Sequence, residues 1–293
     1  MLFAFYLSSL YYKKGSFFII GEIIPVDNKN IFEQNRAAWN QALKYHQKAR
    51  RNSLQIGFEK PDFTTFNRDC DDIVLTKLKD IDFAGKTISH IPCNNGRELL
   101  SIMKLGAKEA TGFDISDIAI TEARQLAEIA KLNVKFIRTN ILEIGEEYNG
   151  FFDFIYISEG SLQWFPDLNE YFSVISRLLK KNGNILIVEM HPFAYFFENG
   201  FDSENPSFDN LTPYFEKGPY NYEYGIDYVG GVQYKATECF WYMHKMSDIL
   251  NSILHNSIEI LEFSEYNLEM ANNPDAKVFD KFPLSYILTG KKK

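Results

Sequence analysis

At 293 residues the chain is long enough to bury a full core, as one domain with an insertion or as two small ones. An apolar fraction of 45% and a charged fraction of 24% are ordinary for a soluble globular protein, and a net charge of −8 argues against a non-specific nucleic-acid binder, which needs a basic face to displace counterions. Three well-separated cysteines, Cys70, Cys93 and Cys239, with no Cys/His cluster at zinc spacing, predict free thiols in a reducing cytoplasm and no metal centre.

The chain opens with two largely apolar runs, Met1–Tyr12 and Phe17–Val26, split by Lys13-Lys14. Each is shorter than the roughly 20 residues that span a bilayer. Neither combines a positively charged start with a small-residue cleavage site after it, as a signal peptide requires. Residues 1–28 are therefore set aside as an N-terminal extension, with native structure, a short anchor and added sequence all open. The domain itself is expected over 29–293. Its first part, to about residue 82, reads as a helical cap. Ala37, Ala38, Trp39, Ala42, Leu43 and Tyr45 recur at helical spacing within 30–50, residues 51–68 read as an irregular connection around Gly57 and Pro61, and a short helix spans Asp71–Lys79.

A regular alternation follows, over a core of about 83–192. Thr87–Ile91 reads as a strand and Arg97–Leu105 as a helix that turns Leu99, Leu100, Ile102 and Met103 inward. Ala110–Phe113 is the second strand. Ser116 is a suitable N-cap for a helix reaching Lys131, with Ile118, Ile120, Ala123, Leu126, Ala127 and Ala130 inward. Val134–Arg138 and Phe152–Ile157 are the next strands. Leu168–Leu179 is a helix ended by Lys181-Asn182-Gly183, and Asn184–Met190 is the fifth strand. Short apolar strands separated by helices imply βαβ units and a parallel sheet buried on both faces. The rhythm breaks over 191–240, where Phe, Tyr, Gly and Asn dominate. A substrate-side insertion is expected at about 193–246. A helix over Ser247–His255 and strands over Ile258–Glu265 and Leu284–Thr289, joined without a helix, predict an antiparallel pair at the sheet edge.

The segment 86–116 carries the most information. It reads as strand, tight turn, helix, strand, with Asp114 at the tip of the second strand. Asp114 follows Gly96 by roughly the 20 residues at which nucleotide-binding folds place a carboxylate on a ribose. This is a site for a cofactor with an adenosine and a ribose. Pro92 and Asn94 stand where glycines are expected, so the GxGxxG loop of a nicotinamide-dependent oxidoreductase is absent.

The run His90-Ile91-Pro92-Cys93-Asn94-Asn95-Gly96, Asp114 after the second strand, the block Ser158–Leu168 with Trp164 inside it, and His191-Pro192 after the fifth strand together resemble the class I S-adenosylmethionine-dependent methyltransferases. The closer likeness is to a bacterial small-molecule branch whose first motif reads His-x-x-Cys-x-x-Gly. The resemblance covers about residues 30–290. It implies an α/β fold: a Rossmann-like, seven-stranded, mostly parallel sheet with an antiparallel edge strand, helices on both faces and an aromatic-rich insertion. It also implies S-adenosyl-L-methionine as cofactor.

On that reading the turn brings backbone close to the methionine tail, and Asn94 and Asn95 substitute partly for glycine because Asn tolerates the left-handed conformation. Gly96 keeps the one glycine at the helix entry. Asp114, with Ile115, would meet the ribose hydroxyls, and Asn140 and Ile141 lie where the family places residues near adenine. His90, Cys93, Ser158 and Glu159 complete the cofactor set, although His90 also reads as a satisfied strand-end histidine and Cys93 as a buried filler. Trp39, Tyr45, Trp164, Tyr224, Tyr228 and Trp241 are candidate substrate contacts, since aromatic faces suit a planar or cationic acceptor, with core packing as the alternative. His191 and His244 are candidate bases if the acceptor must lose a proton.

The expected function is a cytoplasmic methyltransferase acting on a small-molecule O, N or C acceptor. The alternative is a catalytically silent binding protein of the same fold. The expected partner is the small-molecule acceptor, with no nucleic acid and no membrane span.

Overall fold

The computed structural model describes residues 28–66, 71–196, 211–222, 225–268 and 281–293. Seven strands form one sheet in the order β3-β2-β1-β4-β5-β9-β8. These are β1 (Thr87–His90), β2 (Glu109–Asp114), β3 (Val134–Arg138), β4 (Phe152–Ile157), β5 (Leu179–Met190), β8 (Ile258–Tyr266) and β9 (Ser285–Lys292). β1 to β5 run parallel, whereas β9 is antiparallel to both β5 and β8 and lies between them. The antiparallel strand thus sits one place in from the edge. A short separate pair, β6 (Tyr220–Asn221) with β7 (Phe240–Trp241), lies in the aromatic excursion.

The helices are α1 (Asn28–Arg50), α2 (Ser53–Phe58), α3 (Asp71–Lys79), α4 (Arg97–Met103), α5 (Asp117–Ala130), α6 (Leu168–Leu178), α7 (Pro192–Phe196) and α8 (Met246–His255). Leu99, Leu100, Ile102, Ile120, Ala123 and Leu126 of α4 and α5 pack on one face of the sheet, with Leu54, Phe58, Val74 and Leu78 behind them. Phe172, Ile175, Leu178, Ile249 and Ile253 of α6 and α8 cover the other face. With both faces covered, β1, β2 and β4 are almost wholly buried. The strand order reverses between β1 and β4, and the crevice outside their C-terminal ends is where open α/β sheets bind ligands.

Two stretches depart from the sequence expectation. Residues 51–68 contain the helix α2, which at six residues is too short to display a period; its Gly57 lies against the Phe63 ring. The expected stop at Lys181-Asn182-Gly183 is instead an irregularity inside β5, which starts directly at Leu179. There Leu179 pairs with Phe152 and Asn184 with Phe154, and Asn182 takes up the extra residues at a φ of 63°. Cys93 and Cys239 are buried free thiols, and Cys70 lies outside the described residues. No helix among the described residues is long and apolar enough to cross a membrane. No His/Cys/Asp/Glu group among them could hold a metal ion.

Candidate active site

The turn after β1 is folded tightly into the crevice. Cys93 N–H donates to Phe113 O at 2.8 Å, and Gly96 N–H closes the turn onto Cys93 O at 2.9 Å. Asn94 occupies the left-handed region at φ 48° and Gly96 at φ 73°, so the Asn94-Asn95-Gly96 sequence provides both left-handed positions. The Phe136 ring fills the space beside Gly96 and Gly112, where any Cβ would come within 2.8 Å of it. Gly112→Ala also meets Cys93 Sγ at 2.8 Å. That substitution is expected to cost about 1–3 kcal/mol in urea unfolding, through overpacking between β2 and the turn.

Asp114 ends β2 and is buried. Its Oδ2 accepts the Asn94 N–H at 2.8 Å and its Oδ1 the Ser116 N–H at 2.8 Å. Burial pushes its pKa up to about 6 despite the opposing hydrogen bonds from Ser116, Asn94 and Ile115. One carboxylate therefore ties the β1 turn to the start of α5, where Ser116 caps the helix by accepting the Ala119 N–H. Half-buried Ile115 follows it.

His90 is fully buried at the end of β1. Its Nε2 meets Ser158 Oγ at 2.9 Å across the crevice, and Glu98 Oε2 stands 3.9 Å away. Burial lowers its pKa to about 4, so the imidazole is neutral at pH 7. His90 Nδ1 and both amide atoms of Asn95 are buried without a hydrogen-bond partner. Cys93 is held as a thiol by burial, so it is not a nucleophile. Beyond β3, Asn140 accepts the Leu142 N–H at 3.1 Å and caps the turn Ile141–Glu143, with Ile141 buried beneath. Glu159, half-buried, follows Ser158 at the exit of β4.

Helix α1 lies over this edge. Asn40 Oδ1 accepts from Ser116 Oγ at 2.7 Å, and Asn40 Nδ2 and Arg36 Nη1 both reach Asp117, at 2.8 and 2.5 Å. Trp39 makes edge contacts with Trp164 at 5.3 Å and Tyr228 at 6.3 Å, and Asn94 Nδ2 donates to Tyr228 Oη at 3.4 Å. Trp39, Trp164 and Tyr228 are half-buried and form one aromatic rim beside the Asn94 turn.

The excursion is bonded along α1. Asn35 exchanges two hydrogen bonds with the Phe240 backbone, both 2.8 Å, and Gln41 accepts from Thr237 N–H at 2.8 Å. Buried His46 donates from Nε2 to Ile226 O at 3.0 Å and lies 3.5 Å from Asp227, which accepts the N–H groups of Val229, Gly230 and Val232.

Other expected site residues have different surroundings. Tyr45 stacks on Tyr234 at 4.3 Å. Trp241 is 2% exposed and stacks with Tyr195, Tyr220 and Tyr222. His191 Nδ1 accepts the Phe193 N–H at 3.1 Å, and its Nε2 donates to Glu265 on β8 at 3.0 Å. His244 is buried and donates from Nε2 to Phe165 O at 2.9 Å. Tyr224 lies outside the described residues.

Two residues of this region escaped the sequence reading: Arg50 and Glu189. Arg50 ends α1 with Nη1 buried and without a hydrogen-bond partner, and burial followed by the nearby Arg97 pushes its pKa down. A single acid closing the apolar run 185–190 was the available signal for Glu189.

The profile of a family described as "Methyltransferase domain" matches residues 82–255. Among curated proteins, the methyltransferase phqN of Penicillium fellutanum is 29% identical over 136 residues, 46% of this chain and 40% of its own length. The ribosomal protein L11 methyltransferase of Mannheimia succiniciproducens is 31% identical over 129 residues, 39% of this chain and 36% of its own. The matches thus span less than half the length of these relatives. An S-adenosylmethionine-dependent methyltransferase from Mesorhizobium loti superposes with a TM-score of 0.58 at 16% identity, covering 78% of this chain and 100% of that one, a likeness of fold. The profile spans more than half of the sequence and takes in the β1 turn, Asp114 and the Ser158–Trp164 loop: the chain belongs to the methyltransferase domain family.

Proposed function

We propose that the protein moves the methyl group of S-adenosyl-L-methionine to an O, N or C atom of a small-molecule acceptor. The observation that carries this reading is the crevice itself, where buried Asp114 faces the Asn94–Gly96 turn beside partnerless polar atoms on His90 and Asn95. Partnerless buried polar atoms cost about 1–3 kcal/mol each and suit a ligand that supplies the missing partners. The residues present fit this cofactor. Asp114 has acceptor capacity left for ribose hydroxyls. With its Nε2–H given to Ser158 Oγ, His90 offers the Nδ1 lone pair to the cofactor's ammonium group. Arg50 Nη1 is free for a carboxylate, and Ile115, Asn140 and Ile141 line the adenine side.

The sulfonium supplies an already activated methyl group, so the protein's work is alignment and exclusion of water. Trp39, Trp164 and Tyr228 serve this purpose as the rim against which an acceptor would be held. His191 and His244 are both spent on structural partners, and this reading uses neither as a base. Calorimetric titration with S-adenosylhomocysteine tests the donor site: micromolar binding is expected, and its absence would sink the reading. A transfer screen over phenols, amines, carboxylates and a lysine peptide then separates an enzyme from a silent binding protein.

A further inference from the structure

Glu189 closes β5 and is 2% exposed. Its carboxylate accepts four backbone N–H groups. Oε1 takes those of Gly160 at 2.5 Å and Met190 at 2.8 Å, and Oε2 takes those of Ser161 at 2.8 Å and Leu162 at 2.9 Å. Three of the donors are successive amides of the loop after β4. Successive N–H groups converging on one point form an anion-binding concavity, here filled by a side chain of the protein itself. The same loop carries Ser158, bonded to His90, at one end and Trp164, against Trp39, at the other. It also folds on itself through Ser161 Oγ to Ser158 O at 2.5 Å and Trp164 Nε1 to Gly160 O at 2.6 Å. Glu189 therefore holds from beneath the loop that joins the donor crevice to the aromatic rim.

We propose that Glu189 is a positioning residue for methyl transfer: its carboxylate fixes the Ser158–Trp164 loop in the shape that seats the donor. The proposal rests on the donor-site reading above. Glutamine does not replace it, because it has one acceptor oxygen and would aim its NH2 group at two of the four N–H donors.

The test pairs amide hydrogen exchange of peptides covering 158–164 with calorimetric S-adenosylhomocysteine binding, in the full-length wild type, Glu189→Gln and Glu189→Asp. In Glu189→Gln, exchange in the loop is expected to rise about tenfold or more while peptides from α4 and α5 are unchanged, and affinity to fall about tenfold, the scale of one lost hydrogen bond. Glu189→Asp, which keeps four acceptor sites, is expected to recover part of both. In the wild type alone, saturating S-adenosylhomocysteine should slow exchange in the loop, because coupling between loop and donor is reciprocal. That arm stands even if a variant fails to fold. Unchanged loop exchange in Glu189→Gln, faster exchange with full affinity, or no wild-type protection would overturn the proposal. A wild type that binds no S-adenosylhomocysteine fails at the donor-site reading itself, a result distinct from a wild type that binds and a variant that binds equally well.

Discussion

Asp114→Ala is expected to weaken S-adenosylhomocysteine binding by about 100-fold or more. Two hydrogen bonds to a charged acceptor, at about 1.5–3 kcal/mol each, set that scale. The same carboxylate also anchors Asn94 and Ser116, so part of the loss in the variant would come from a loosened turn. A cycle with a ribose-deoxy analogue of the ligand separates the two contributions. If Asp114 contacts the ribose, removing a hydroxyl costs affinity in the wild type and little in Asp114→Ala. An equal deoxy penalty in both proteins would remove the ribose role. The pH dependence supplies a second check. Burial holds the free carboxyl at about 6, and hydroxyl donors favour its ionised form, so ligand and proton compete. Affinity should be flat above pH 7 and fall towards tenfold per pH unit below 6.

This prediction leans on a residue whose place could be read from the chain, and the reason is physical. A strand buried on both faces has little room for charge, so an acid at its end, after a glycine-bearing turn, marks a ligand edge; β2 and Asp114 follow that logic. β4 has the expected limits for the same reason, and β3 has them although only Phe136 of its five residues is buried. The cover over the site obeys no such period. Asn35, Gln41 and His46 bond the backbone of a segment some 200 residues away, and no local pattern encodes that partnership. Aromatic content announced a packed cover but not which rings meet. Tyr45 finds Tyr234 and Trp241 finds Tyr220, whereas Trp39, Trp164 and Tyr228 stay at the rim. Glu189 was hidden by its chemistry: a lone acid ending an apolar strand looks solvent-facing until the amides of another loop are seen converging on it.

Acid should unfold the protein through its buried histidines, and His244 gives the cleanest measure. Burial lowers the pKa values of His46, His90 and His244 to about 4. Each folded-state value is depressed below the unfolded 6.5. Their stabilisation is therefore fully present above pH 6.5 and is lost as pH falls through about 4, because the unfolded chain takes up protons the native core refuses. A shift of this size is worth about 3 kcal/mol per group. Asp114 and Glu189 act in the opposite sense. Their folded values are raised to about 6 and about 7, so their contribution is complete below the unfolded carboxyl range and disappears as pH rises through those values. Three losses against two gains leave a net fall of about 3 kcal/mol between pH 7 and pH 4. His244→Asn keeps an N–H for Phe165 O but removes one proton-binding site. Over the same interval in urea unfolding, its stability should therefore fall by about 3 kcal/mol less than that of the wild type, whatever its absolute stability at pH 7. Parallel pH profiles for the two proteins would show that His244 is already protonated in the native state, or that acid opens the region around Phe165 before the rest of the fold.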